Sequence, residues 1–116
     1  MKDKKPEKPD FYKIFSGFTT DKIEAIHAFT CTTIGTSSTS DLSEQLDVEK
    51  QVLGGILSSL FRTKINGESL VVPVAKDPDE GKIWRLNEKV APKEELKKVT
   101  EDILSAVNEW RKNKSE

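Results

Sequence analysis

Residues 46–60, LDVEKQVLGGILSSL, carry apolar side chains at Leu46, Val48, Leu53, Leu57 and Leu60. Counted from Leu46, the offsets are zero, two, seven, eleven and fourteen. Steps of three and four keep residues on one helix face, so Leu53, Leu57 and Leu60 define a buried stripe. One helix is expected to end at Leu46 and the next to begin near Val48, which leaves Asp47 between them. The preceding TSSTSDLSEQL reads as a short capped helix. Its hydroxyl run Thr36 to Ser40 competes for backbone bonds and predicts a loop. Thr39 is the expected N-cap, and Asp41 lies in the first turn, where the helix dipole favours a carboxylate. Leu42 and Leu46 would face inward. The helix after the turn is expected from about Val48 to Thr63. Its apolar side would be Val48, Val52, Leu53, Ile56, Leu57, Leu60 and Phe61. Its other side would be Lys50, Gln51, Gly54, Gly55, Ser58, Ser59 and Arg62.

Downstream, Asn66-Gly67 predicts a turn, and Leu70 to Ala75 is a β-branched run. Pro73 has no N–H, which restricts that strand to a sheet edge. Lys76 to Gly81, KDPDEG, predicts the connecting loop, and Lys82 to Asn87 the returning strand, with Trp84 packing inward against the preceding helix. Upstream, Asp21 and Glu24 have capping-box spacing and open a helix to about Thr33. Its inward stripe would be Ile23, Ile26, Thr30 and Ile34, ended by Gly35. Asp10 caps a short helix over Phe11 to Ser16, whose Phe11 and Phe15, with Phe18 after it, require cover. Pro92 opens a terminal helix with Leu96, Val99, Ile103, Ala106 and Trp110 on one seam. A single amphipathic helix of this length is marginal alone in water and must pack on something.

The chain has 116 residues, enough for one domain with its own core. Charged and apolar residues each make up 34% of it, a highly charged composition that is still apolar enough to fold. No apolar run is long enough to suggest a membrane span. The first ten residues lack the apolar stretch of a secretory signal, and the lone Cys31 fits a reducing compartment, so a cytoplasmic protein is expected. Net charge is −1, but residues 21–62 hold three basic and six acidic residues. Proteins that contact many phosphates usually show a basic face, and this balance counts against one.

Helix, turn, helix and hairpin in this order resemble the winged helix-turn-helix domain of small bacterial and archaeal transcription regulators. The resemblance rests on TSDLSEQLDVEKQVLGGILSSLFR and LVVPVAKDPDEGKIWRL and covers residues 21–87. It implies a mainly α fold with a small β-hairpin (α+β), extended by a C-terminal amphipathic helix. The expected organisation is a charged tail over 1–9, a winged-helix domain with its aromatic segment over 10–90, and a dimerisation helix over 91–116. The resemblance also implies that the outward side of helix 48–63 enters the major groove of double-stranded DNA. By position, the base-reading residues would be Lys50, Gln51, Gly54, Gly55 and Ser58, with Lys76, Lys82 and Arg85 at the base of the wing. Gln51 suits adenine and Lys50 suits guanine. A homodimer is expected through Phe11, Phe15, Leu96, Val99, Ile103 and Trp110.

Two features depart from that pattern. Asp47 stands where a glycine usually makes the turn, with Glu49 beside it. The wing tip, Asp77, Asp79 and Glu80, is acidic and repels phosphate. A winged-helix module for a protein partner, without DNA binding, is therefore the alternative reading. Gly54 and Gly55 each cost roughly 0.8–1 kcal/mol in a helix relative to alanine. Close approach of DNA would compensate, and so would close packing of another helix. His27 and Cys31, four apart on one helix, read as a packed pair rather than a nucleophile with its base or half a metal site. No phosphate loop and no catalytic constellation is present, so neither enzymatic activity nor a metal or cofactor is expected.

Overall fold

The computed structural model describes residues 9–114. The expected tail over 1–9 therefore lies outside the described residues except for Pro9. The fold is mixed α and β. Its elements are α1 (Phe11–Phe15), α2 (Thr20–Thr30), β1 (Thr36–Ser38), α3 (Thr39–Leu46), α4 (Lys50–Arg62), β2 (Lys64–Ile65), β3 (Glu68–Ser69), β4 (Val71–Asp77), β5 (Gly81–Leu86) and α5 (Lys93–Lys114). Strands β1, β5 and β4 form an antiparallel sheet in that order, and β2 pairs with β3 as a separate small hairpin.

The turn at Asp47 is left-handed, with φ 55° and ψ 49°. Aspartate tolerates this conformation better than most L residues because its short polar side chain bonds locally. The Ser43 hydroxyl donates to the Val48 carbonyl and ties the turn to α3. On α4, Leu53, Leu57 and Leu60 are all fully buried, but Val52 is 50% and Phe61 39% exposed. The apolar stripe is thus narrower than expected. The period of 3.6 centres the core on the three leucines and leaves the flanking residues outside it.

Further expectations are corrected. Thr36 to Ser38 is not loop but β1, pairing Thr36 with Arg85, Ser37 with Trp84 and Ser38 with Ile83. Small hydroxyl residues suit this strand because Ser37 and Ser38 are buried beside the tryptophan strand. Ser38, not Thr39, caps α3, its hydroxyl accepting from the Asp41 amide at 3.0 Å. Thr39 instead donates to the Lys82 carbonyl, linking α3 to β5. Upstream, Thr19 rather than Asp21 caps α2, and α2 ends at Thr30. Ile34 then lies in the connection, 64% exposed, because Gly35 at φ +70° swings the chain into the sheet.

The turn at Asn66-Gly67 has φ 54° and 84°, the pairing of a tight hairpin. Strand β4 lies at the sheet edge, and its register slips between Pro73 and Ala75. One buried cluster joins Phe11, Phe15, Ile26, Phe29, Leu42, Leu53, Leu57, Trp84, Leu96 and Val99. Helix α5 is held in it by α2, and Thr100 is buried with its hydroxyl on the Leu96 carbonyl. Phe11, Phe15, Leu96 and Val99, expected between two copies, are buried within one chain. Helix α5 packs on α2, and α1 packs on α5.

Candidate nucleic-acid interface

Because the three buried leucines fix the rotation of α4, its opposite side is fixed too. Gln51, Gly55, Ser58 and Arg62 follow at intervals of four, three and four and form one outward line. No aspartate or glutamate occurs between Lys50 and Arg62. Gly55 sits at the centre of this line and Gly54 at its flank. A Cβ added at either glycine meets nothing within 4 Å. Close packing within the chain therefore does not explain either one. The N-cap of α4 is Glu49, whose side chain makes no capping hydrogen bond. The carboxylates of Asp47 and Glu49 are exposed at this end of the helix.

The β4–β5 hairpin rises beside α4. The Asp77 carboxylate accepts from the Asp79 and Glu80 amides at 2.8 and 2.9 Å. The backbone bonds from Glu80 and Asp79 hold its pKa below the ordinary value of 3.8. Glu80 accepts from the Ser38 hydroxyl at 3.2 Å. Two tip carboxylates thus fold the turn and fasten it to β1.

Lys76 and Lys82 are directly opposed across the strands. Lys82 lies 5.3 Å over the Trp84 ring, and Trp84 meets Phe61 of α4 edge-on at 6.5 Å. Both lysines therefore share the α4 side of the hairpin. Like charges opposite each other destabilise a strand pair, and an anion between them would relieve this. Arg85, one residue along from Trp84, takes the other face. Its Nε donates to Thr36 at 3.3 Å, and it lines a groove of about 510 Å³ with Ile34, Val72 and Lys89. The structure therefore places Lys76 and Lys82 on the Trp84 face of the hairpin, which meets α4 at Phe61, and Arg85 on the other face; Gln51, Gly55 and Ser58 lie on the outward line of α4, with Gly54 at its flank and Lys50 exposed in its first turn.

Three residues join this side that the sequence reading left out of the site. Arg62 completes the Gln51 line, a position readable from the eleven-residue spacing. Lys64 donates to Ser69 at 2.8 Å and lies 5.5 Å over the Phe61 ring. Phe61 is the partly exposed aromatic between helix and hairpin. Only the fold places Lys64 and Phe61 there, because both follow from where the chain turns after α4.

Elsewhere, Cys31 Sγ lies 3.8 Å from Nε2 and 3.9 Å from Nδ1 of His27. Near-equal distances put the sulfur over the ring rather than in line with either nitrogen, which is not a nucleophile–base geometry. His27 Nε2 pairs with Glu101 at 3.2 Å and joins α2 to α5. Among the described residues no group of three or more His, Cys, Asp or Glu side chains is placed to hold a metal, and no helix is long and apolar enough to cross a membrane. No protein-family model matches this chain, and neither the curated proteins nor the solved structures contain a match.

Proposed function

We propose that this chain is a winged-helix protein that binds double-stranded DNA and serves as a transcription regulator, with α4 as the helix that enters the major groove. The observation that carries the reading is the outward line Gln51, Gly55, Ser58, Arg62. It is free of acid and small at its centre, where a Cβ added at Gly55 meets nothing within 4 Å. A helix needs such a surface to bring its axis close to base edges. Gln51 has the paired donor and acceptor for adenine, and Arg62 the fork for guanine or phosphate. The order α2-β1-α3-α4-β4-β5, with β5 between β1 and β4, supports the β4–β5 hairpin as the wing. In this reading Lys76 and Lys82 meet the phosphate backbone from the side of the wing, and the acidic tip points past it.

The alternative, a winged-helix module for a protein partner, draws support from Val52 and Phe61, which leave apolar surface on the flanks of α4. Fluorescence anisotropy of genomic duplex fragments, titrated with salt, separates the two. DNA binding through several phosphates gives a steep fall of log K with log salt, and Gln51→Ala weakens binding by about 1–3 kcal/mol if it reads a base. A flat salt response with Gln51→Ala and Arg62→Ala unchanged would transfer the function to a protein partner.

A further inference from the structure

Phe61 lies on the hairpin flank of α4, 39% exposed, among cations. Its ring meets Trp84 edge-on at 6.5 Å, and Trp84 is itself buried, so the phenyl rests against a fixed neighbour. Lys64 Nζ lies over the Phe61 ring, 5.5 Å from its centroid, and Lys82 Nζ lies over Trp84 at 5.3 Å. Lys76 stands opposite Lys82 across the strands. Among the described residues none of these three lysines forms an ion pair. Most carboxylates near them in the chain are bound elsewhere. Glu68 accepts from the Asn87 side chain at 3.2 Å, Asp77 from the wing-tip amides, and Glu80 from Ser38. Asp79, at the tip itself, is the acid that remains.

Val52 and Phe61 are the two large apolar side chains that α4 exposes. Nine residues apart, they lie about 180° from each other around the helix, so they do not form one apolar patch. What surrounds Phe61 is instead a single aromatic ring among lysines without counter-charges. That combination suits a nucleic-acid strand whose bases are unpaired, because the cations hold phosphates and the ring takes a base by stacking. A paired base keeps its faces inside the duplex stack. A duplex therefore offers phosphates to the lysines but no partner to Phe61.

We propose that Phe61 is a stacking site for an unpaired base of DNA, with Lys64, Lys76 and Lys82 on the phosphates beside it. The inference rests on the reading of α4 as a duplex-binding helix and narrows its ligand to a duplex with a single-stranded extension at the junction of α4 and the hairpin. A base on Phe61 displaces the Lys64 ammonium from the ring, a contact worth about two- to fivefold in an equilibrium at an exposed site. Stacking one base on an aromatic side chain is worth roughly 5- to 150-fold, and the displaced lysine gains a phosphate. The exchange is thus favourable.

Anisotropy titrations of the full chain test this with three probes that share one genomic duplex. One is blunt, one carries a tail of about six deoxyadenosines, and one carries an equal tail of abasic sugar–phosphate units; both tails are tried at 3′ and 5′ ends. In one polarity the deoxyadenosine tail should bind at least about fivefold more tightly than the abasic tail, which carries the same charge. Phe61→Leu should bring the two tails to equal affinity and Phe61→Tyr should keep them apart, with melting curves showing that both variants fold. Equal affinity of the two tails for the unaltered protein in both polarities, with the blunt duplex still bound, would overturn the stacking site and leave the duplex reading standing. An advantage that survives Phe61→Leu would also overturn it. Failure to bind any of the three probes would remove the duplex reading, and the stacking site with it.

Discussion

Replacing Gly54 and Gly55 by alanine separates what α4 needs for stability from what it needs for binding. Both glycines lie inside a helix, and neither is held at positive φ. No atom lies within 4 Å of an added Cβ, so alanine costs no repacking. Each substitution should then gain the difference in helix propensity, about 0.8–1 kcal/mol, and the pair about 1.6–2 kcal/mol. For a domain of this size, that raises the melting temperature by roughly 6–8 °C. The same two methyl groups project from the face assigned to DNA. If the helix approaches closely there, duplex affinity falls at least tenfold, or about 1.4 kcal/mol. Thermal and urea melts of the two single variants and the double variant measure the first effect, and anisotropy with a duplex the second. A loss of stability would show that the space around the glycines is filled in solution. A stabilised protein that binds duplex as before would refute close approach at α4, leaving the glycines without a functional reason.

Three other perturbations follow from particular contacts. Asp47→Gly relieves crowding at φ 55°, about 1–2 kcal/mol for an L residue, against roughly 0.4–1 kcal/mol for glycine's freer unfolded chain. A net gain of about 0.5–1 kcal/mol in urea denaturation is expected, and a loss would mean that the Asp47 side chain itself holds the turn. Tyr12 is the sole tyrosine. Its hydroxyl donates to Asp102 at 2.6 Å, and chiefly through that bond its pKa is raised above 10.0. The contribution to stability is therefore full below 10.0 and lost as pH rises through the folded value. Ultraviolet titration of phenolate absorbance should report the raised value, and Asp102→Asn should return it towards 10.0; an identical curve would mean the bond is absent in solution. Asp77 has the opposite sign. Its pKa is lowered, so its hold on the Asp79 and Glu80 amides is present above 3.8 and fades as pH falls through the folded value. Hydrogen exchange at those two amides should quicken relative to Asp77→Asn controls only in that acid range, and uniform exchange at all pH would deny the turn its carboxylate.

The fold was most legible where apolar spacing and special backbone residues agreed. Leu53, Leu57 and Leu60 marked the buried side of α4, Asp47 the turn, Asn66-Gly67 the small hairpin and Pro73 the sheet edge. Each of these positions carries its own local cause. The misreadings came where local propensity competed with pairing partners distant in sequence. Thr36 to Ser38 has the composition of a loop and is a strand only because Ile83 to Arg85 lies alongside it. Ile34 continues a helical period that had already ended at Thr30. Phe11, Phe15, Leu96 and Val99 were rightly seen to need cover. Periodicity shows that a stripe is buried, however, and not whether its own chain or another one buries it.

The charge of the chain poses the same question about the candidate interface, and here the fold alters the answer. Summed along 21–62, acids outnumber bases, and the wing tip looks hostile to phosphate. In three dimensions the signs separate. Asp77 and Glu80 turn back to bond Asp79, Glu80 and Ser38, while Lys76 and Lys82 pair on the side facing α4. The acid-free stretch Lys50 to Arg62 lies beside them. A carboxylate satisfied by backbone amides within a turn projects less field than its formal charge, whereas two opposed lysines add theirs. Sums over sequence therefore understate the basic character of this one side. The surface that remains is modest: Lys76 and Lys82 on the hairpin, Lys64 after the helix, and Lys50 and Arg62 at the two ends of an otherwise uncharged α4. If this side binds duplex as proposed, its affinity rests on close fit at Gly55 more than on a strong field. That ranking has a consequence: on the proposed reading, Gly55→Ala should weaken duplex binding more than removing any single lysine, because a methyl group there holds the whole helix away from the base edges.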